Sequence, residues 1–389
     1  MTKDAQEWSQ WFWGPFLSDW LARVQDGENG VFDALDVDGN PDLTSGKTLL
    51  AQARTLFTIA HIALASGDPA HVEAARKQAE FVKSFQKAKG LYRCKSMRDG
   101  TATGRKDGEI ARSYDQTFVV LGFVTWNKVA QSADVSILIE ECWGALKTHL
   151  TDPDTGLLRN DDSGADTGPA QNPHMHLYEA CLQGFRMTND AIWLERAADL
   201  RAVGLQYFMD DNSGSIAEFL TPDLQPLAGG DGQRREVGHQ CEWAWLLLEE
   251  AELAKTTTPI DPAGRLVTFA DDCGFASKGL FEGAVYDAVS SAGDVVENSF
   301  LLWPQTEAIK ILTTRHRAGD PSAGERAQRL MCLMFERWFV GHTCFVNQLD
   351  AEGAVIWDEG LTRLMYHLVI AMSEGARAGL WADMPKAQG

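Results

Sequence analysis

The sequence predicts an all-α fold, and three observations predict it. Apolar residues recur with the 3.6-residue spacing of amphipathic helices in twelve segments. The connections between those segments alternate between long and short. The residue types that carry chemistry fall on the even-numbered segments, mostly near their starts. Six repeated helical hairpins with their long connections gathered on one face form an (α/α)6 barrel, in which the even helices make an inner ring.

The segments follow in order. The first covers 5–24 and the second 46–65. The third, 68–88, opens at Asp68-Pro69, a capping carboxylate followed by a proline suited to a first helical turn. The fourth and fifth cover 111–130 and 134–150. The sixth, 173–188, stops at Asn189, a residue that can take the left-handed conformation at a helix end. The seventh, 190–208, opens at Asp190. The eighth, ninth and tenth cover 237–254, 262–278 and 301–317. The eleventh, 320–339, opens at Asp320-Pro321, and the twelfth covers 362–378. The connections after the third, fifth, seventh, ninth and eleventh segments are long and rich in Gly and Asp. Each holds a short apolar-alternating piece that reads as a hairpin or extended loop.

Bulk composition narrows the function. The 389 residues are 44% hydrophobic, enough for one large core, and one domain over 1–389 is expected. A net charge of −20 and a pI near 4.8 argue against nucleic acid and anionic membrane as partners. The seven cysteines are scattered, odd in number and free of CxxC spacing. That pattern predicts reduced thiols in the cytoplasm rather than a disulfide framework. The N-terminus has neither the basic nor the apolar region of a signal peptide, and no apolar run approaches the roughly 18 residues that span a bilayer. Most of the 13 tryptophans belong in the core. No GxGxxG word occurs, and the SGKT ending at Thr48 lacks a P-loop's first glycine, having Pro41 there. No cofactor is expected.

Two short words recur at helix starts, His176-Leu-Tyr-Glu179 and His239-Gln-Cys-Glu242. A His and a Glu three apart share one helix face, so the carboxylate can hold the imidazole in one tautomer with a pKa near neutrality. His367 follows on the last inner helix. Arg54, Tyr114 with Asp115, Asn172 with His176, His239 with Glu242, Trp303 with Glu307, and His367 thus come one set from each even helix. His174 lies two residues before His176 and is expected to point elsewhere. His61, His71, His149, His316 and His342 match no motif and are expected at surfaces, loops or helix ends. The His-first HxxE order differs from the spacings of histidine-rich metal sites, so no metal is expected.

These words, in this order, resemble the N-acylglucosamine 2-epimerase superfamily. The matching pieces are RTLFTIA, ARSYDQTFVVLG, NPHMHLYEA, GHQCEWAWLLL, LWPQTEAIK and MYHLVIAMSE, which together span the six even helices. NxxMHxxEA and GHxxEW are the specific ones. The resemblance implies an (α/α)6 barrel and proton transfer at C2 of a free sugar without metal or cofactor. It implies acid/base roles for His239 and His367, a supporting role for His176, and sugar or oxyanion contacts from Arg54, Glu242, Glu307 and Trp303. Tyr114 and Asn172 join them as substrate-binding candidates by position. The GHxxEW form is closer to the mannose isomerase branch.

The chemistry fits from below. An imidazole can take a proton from C2 of a sugar and return it to C1, contributing roughly 10²–10⁴-fold. A cation such as Arg54 steadies the oxyanion that develops. The expected reaction is isomerisation of an unphosphorylated aldose of the mannose–fructose type through a cis-enediol. Either allocation of base and acid between His239 and His367 fits. The alternatives are a 2-epimerase on the same site and an (α/α)6 glycoside hydrolase using carboxylates such as Asp115 and Glu242. A small free sugar is the expected partner, and the chain is expected to be a monomer or homodimer.

Overall fold

In a computed structural model, which describes residues 3–165 and 167–387, the chain forms an (α/α)6 barrel. Among the described residues there are twelve long helices. Helix α1 runs through Ala5–Trp11, a π segment Phe12–Phe16 and Leu17–Val24. It is followed by α2 (Leu49–Ser66), α3 (Pro69–Lys83), α4 (Ser113–Ala130) and α5 (Ala133–His149). Then come α6 (Gln171–Thr188), α7 (Ile192–Phe208) and α8 (Val237–Ala254). Helix α9 (Ile260–Phe269) ends in a π segment, Ala270–Gly274. The last three are α10 (Leu302–Arg317), α11 (Pro321–Met334, extended by the π segment Phe335–Phe339) and α12 (Met365–Arg377).

The even helices close on themselves. α2 packs on α4, α4 on α6, α6 on α8, α8 on α10, α10 on α12, and α12 returns to α2. They are buried on nearly every face, so their apolar residues point all round and not along one stripe. This explains α2, which is long and apolar enough to cross a membrane by length and composition but lies mostly buried in the ring.

Several boundaries differ from the sequence expectation. The second, tenth and twelfth segments begin at Leu49, Leu302 and Met365, because the residues just before them are drawn into extended or 3₁₀ structure. Asp190 is not the cap of α7. Ala191 is, although the Asp190 carboxylate accepts the Ile192 N–H at 3.1 Å. Asp68, Asp320 and the left-handed Asn189 act as expected. His61 is neither at a surface nor in a loop: it lies half-buried on α2, with Nε2 2.9 Å from the Ser373 hydroxyl of α12.

The six long connections form a crown, each joined to the next by short antiparallel pairings. Lys47–Thr48 pairs with Lys95–Ser96, Arg112 bridges Asp161, and Ala170 bridges Phe219. Arg234–Glu236 then pairs with Ala288–Ser290, and Ser299–Leu301 with Gln348–Asp350. Gly360–Leu361 pairs with Ala34–Leu35, which closes the circle from last connection to first.

A repeated clamp ties this crown to the ring. Near the start of α2, α4, α8 and α10 stand Gln52, Gln116, Gln240 and Gln305. Each side-chain amide accepts a backbone N–H from the preceding connection and donates to the same residue's carbonyl. The clamped residues are Val31 (3.0 and 2.8 Å), Tyr92 (3.0 and 3.0 Å), Ile216 (2.7 and 3.1 Å) and Val285 (2.9 and 2.9 Å). In α6 the position is taken by His174, whose Nε2 accepts the Leu158 N–H at 2.7 Å. A buried backbone amide without a partner costs about 1–3 kcal/mol, which each clamp avoids. His174 is thus a structural residue, turned from the cavity as expected.

Candidate functional site

The N-terminal ends of the inner helices meet beneath the crown around a cavity of about 490 Å³. Small-molecule sites occupy roughly 300–1,000 Å³. Arg54, Tyr114, Asn172, His176, His239, Glu242, Trp303 and His367 all line it. Glu307 stands one layer back, fully buried behind His367. Asp115 also lies outside the lining. It sits in the first turn of α4, whose N-cap is Arg112, and burial raises its carboxyl to about 7.

Each histidine is held by a carboxylate through Nδ1, but only one of the two HxxE words supplies its own. His176 Nδ1–H donates to Glu179 at 3.0 Å, and Glu179 in turn accepts from the Tyr366 hydroxyl. His239 does not use Glu242. Its Nδ1–H donates to Glu218 at 2.8 Å, with Glu236 at 3.3 Å. Glu242 turns into the ring instead, where its Oε1 lies 3.5 Å from the Lys310 ammonium, and neither of its oxygens accepts a hydrogen bond. His367 takes its carboxylate from the neighbouring helix: Nδ1–H donates to Glu307 at 2.7 Å. With Nδ1 protonated, His367 Nε2 is an acceptor, and Arg54 Nη1 donates to it at 3.1 Å. The same guanidinium donates through Nη2 to the Tyr114 hydroxyl at 2.6 Å and stacks over Phe118, 4.2 Å from the ring centre.

The imidazoles are not held near neutrality, as the spacing alone suggests. Burial, reinforced by Arg54 and Lys310, pushes His367 well below its ordinary value, and burial does the same to His176. Burial also works against the charged form of His239, but Glu218 and Glu236 outweigh it and raise the imidazole to about 9. The cavity therefore holds two imidazoles pushed in opposite directions: that of His367, beside Arg54, toward the neutral form and that of His239 toward the charged one.

Packing fixes the aromatic wall. The Trp303 ring centre lies 4.9 Å from that of His239 and 5.8 Å from that of His367. Gly238, the residue before His239, makes this possible, since a Cβ there would run into the Trp303 ring. Trp243, the last residue of GHQCEW, belongs to the core. It is buried, stacks on Tyr178, lies over Gly204 of α7, and donates through Nε1 to Gln171 at 2.7 Å. Gln171 donates to Glu218 at 3.0 Å, so this tryptophan steadies the carboxylate behind His239.

Sequence reasoning missed Glu218, Glu236, Lys310, Arg112 and Arg363. Glu218 is the one charge in the apolar piece SIAEFL, and Lys310 the one cation in the apolar run AIKIL, a contrast that could have marked both. Among the described residues, three groups bring metal-ligating atoms within 4.8 Å of one another: His176, Glu179 and Glu242; Glu218, Glu236 and His239; and Glu242, Glu307 and His367. Their His–carboxylate hydrogen bonds account for much of this closeness. In the third group the Lys310 ammonium lies on Glu307, where a cation would bind.

The inner helices thus present three carboxylate-held histidines and an arginine to one cavity, and the family and relatives of the chain put it among the sugar isomerases and epimerases. The chain belongs to the N-acylglucosamine 2-epimerase (GlcNAc 2-epimerase) family, whose sequence profile matches residues 30–371. It is 28% identical over 324 residues to a mannose-6-phosphate isomerase of Rhizobium meliloti, an alignment covering 79% of this chain and 78% of that protein. Its fold is similar to the crystal structure of a D-mannose isomerase, with a TM-score of 0.81 at 20% identity over 94% of this chain and 97% of that one. A cellobiose 2-epimerase from Bacillus thermoamylovorans is similar in fold at a TM-score of 0.79 and 14% identity, covering 91% and 96% of the two chains.

Proposed function

We propose that the protein is an aldose–ketose isomerase of the mannose–fructose type, working through a cis-enediol without metal or cofactor. The observation that carries this reading is the Arg54 Nη1 contact with His367 Nε2 at 3.1 Å in the cavity that the Glu218-held His239 also lines. In the proposed reaction His367 Nε2 takes the proton from C2 of the open-chain aldose. The released electron pair forms the C1–C2 double bond, and O1 gains a proton from His239. Arg54 and Tyr114 steady the negative charge as it develops. The enediol then returns its O2 proton to His239, while C1 receives the proton held on His367. Ketose leaves, and both histidines are restored. His176 and Asn172 bind sugar hydroxyls, as does Glu242, whose unpartnered oxygens need donors. Trp303 covers a ring face.

The name of the 28% identical relative supports isomerisation over 2-epimerisation. Incubation with D-mannose in heavy water, followed by NMR, tests the choice. Fructose is expected; glucose deuterated at C2 would make the protein an epimerase, and no exchange on any hexose would overturn both. A hydrolase would survive loss of His367, which the isomerase would not.

One observation favours a second reading of the substrate. Arg112 and Arg363 line the cavity, and neither makes an ion pair with a carboxylate among the described residues. This favours a hexose carrying an anionic group, to which arginine binds with two parallel hydrogen bonds. Comparing kcat/KM for mannose and mannose 6-phosphate decides between this and the neutral sugar expected from the acidic surface. A cytoplasmic location, suited to the free cysteines, and a monomeric or homodimeric state are proposed alongside. Light scattering tests the latter.

A further inference from the structure

Behind His367, the inner ring buries three carboxyl groups, Glu179, Glu242 and Glu307, around one ammonium, that of Lys310 on α10. Lys310 makes an ion-pair contact with Glu307 one turn earlier on the same helix, lies 3.5 Å from Glu242 of α8, and sits 3.9 Å over the Trp245 ring. Glu179 of α6 faces the same charge from farther off. Lys310 does not line the cavity, so it does not touch a bound sugar.

We infer that Lys310 is a positioning residue that keeps Glu307 ionised and thereby fixes which nitrogen of His367 carries the proton. The inference rests on His367 acting as the base, as proposed above. An ionised Glu307 can only accept, so His367 must protonate Nδ1 and leave the Nε2 lone pair toward Arg54 and the cavity. A neutral Glu307 can donate to Nδ1 instead. The ring proton then moves to Nε2, where it faces a guanidinium that is itself only a donor, and no base remains on the cavity side. Burial and the charge of Glu242 raise the Glu307 carboxyl well above its ordinary value, and the direct Lys310 contact, with the His367 Nδ1–H at 2.7 Å, is what holds it ionised against them.

The test is Lys310→Met, which keeps the stem over Trp245 and removes the charge. ¹⁵N NMR of the histidine rings and ¹³C NMR of the Glu307 carboxyl read the effect without turnover, so failure of the inference can be told from failure of the isomerase reading. The wild-type protein is expected to hold His367 as the Nδ1–H tautomer with Glu307 ionised at pH 7. In the variant the Nε2–H tautomer should appear and the Glu307 titration should move up in pH by about 1–3, the effect of removing an opposite charge at this range. With sugar, kcat should fall about 10²-fold, the scale of a lost general base, with KM nearly unchanged and activity partly recovered at higher pH. Combining Lys310→Met with Glu307→Gln should cost no more than Glu307→Gln alone. An unchanged tautomer and rate, or additive losses, would overturn the inference. If Lys310→Met does not fold, a neutral Glu307 in the wild-type protein at pH 7 is enough to overturn it.

Discussion

Glu218, from the connection after α7, accepts the His239 Nδ1–H at 2.8 Å, while Glu242, one turn along the same helix as His239, is left to the interior of the ring. The charge state of His239 is therefore set first by a connection, with Glu242 of its own helix a smaller contributor. With Glu236 adding to Glu218, the imidazolium is favoured up to about pH 9. An acid that must be protonated to work loses activity above its pKa, so the alkaline limb of kcat/KM is expected near pH 9. Glu218→Gln removes a negative charge that raises the pKa, and the limb should move to lower pH. An unmoved limb would assign it to another group.

The same shift has a consequence for stability. The folded-state pKa of His239 lies above the ordinary value near 6.5, so its contribution is complete below that value and is lost as pH rises through about 9. Unfolding midpoints in urea, compared between wild type and His239→Gln, should differ most at pH 6 and converge above pH 9.

His367→Asn removes the proposed base while keeping a polar group near Arg54. Isomerisation should drop by roughly 10³-fold or more, within or beyond the usual range for a general base, with the fold intact by circular dichroism. Exchange of the C2 proton into heavy water should fall in parallel. If exchange persists while ketose formation stops, the C2 base is His239.

Gly238→Ala puts a methyl group into the Trp303 ring. The ring has to shift from its seat against His239 and His367, and overpacking of this kind costs about 1–3 kcal/mol. KM for the sugar should rise more than kcat falls, as measured by steady-state kinetics. A variant kinetically identical to wild type would remove Trp303 from the sugar-contacting wall.

Exhaustive dialysis against a chelator should leave activity unchanged, with less than one metal per chain by elemental analysis. Loss of activity restored by a divalent cation would point to the carboxylate and histidine groups around Glu242. Gln116→Leu, by contrast, should leave the chemistry in place. It unclamps both the N–H and the carbonyl of Tyr92 and should destabilise the fold by about 1–3 kcal/mol per group left unsatisfied. A single calorimetric transition in this variant and in wild type is expected of a chain that folds as one domain.

The sequence by itself determined the barrel, the six-fold hairpin repeat, and eight of the residues that now line one cavity. Those features are local and periodic: a 3.6-residue apolar pattern, capping residues at Asp68 and Asp320, and chemistry-bearing side chains placed in successive even helices. The tertiary structure alone decided which carboxylate serves which histidine. His176 keeps the Glu of its own helix, His239 takes one from a connection and His367 takes one from α10, because three residues along a helix fix a shared face but not where each side chain finds a partner. It also decided that His174 clamps a backbone and that Lys310, a lone cation in an apolar run, stands behind Glu307 and His367. Burial and neighbouring charge set a proton's position, and both depend on residues far apart in the chain.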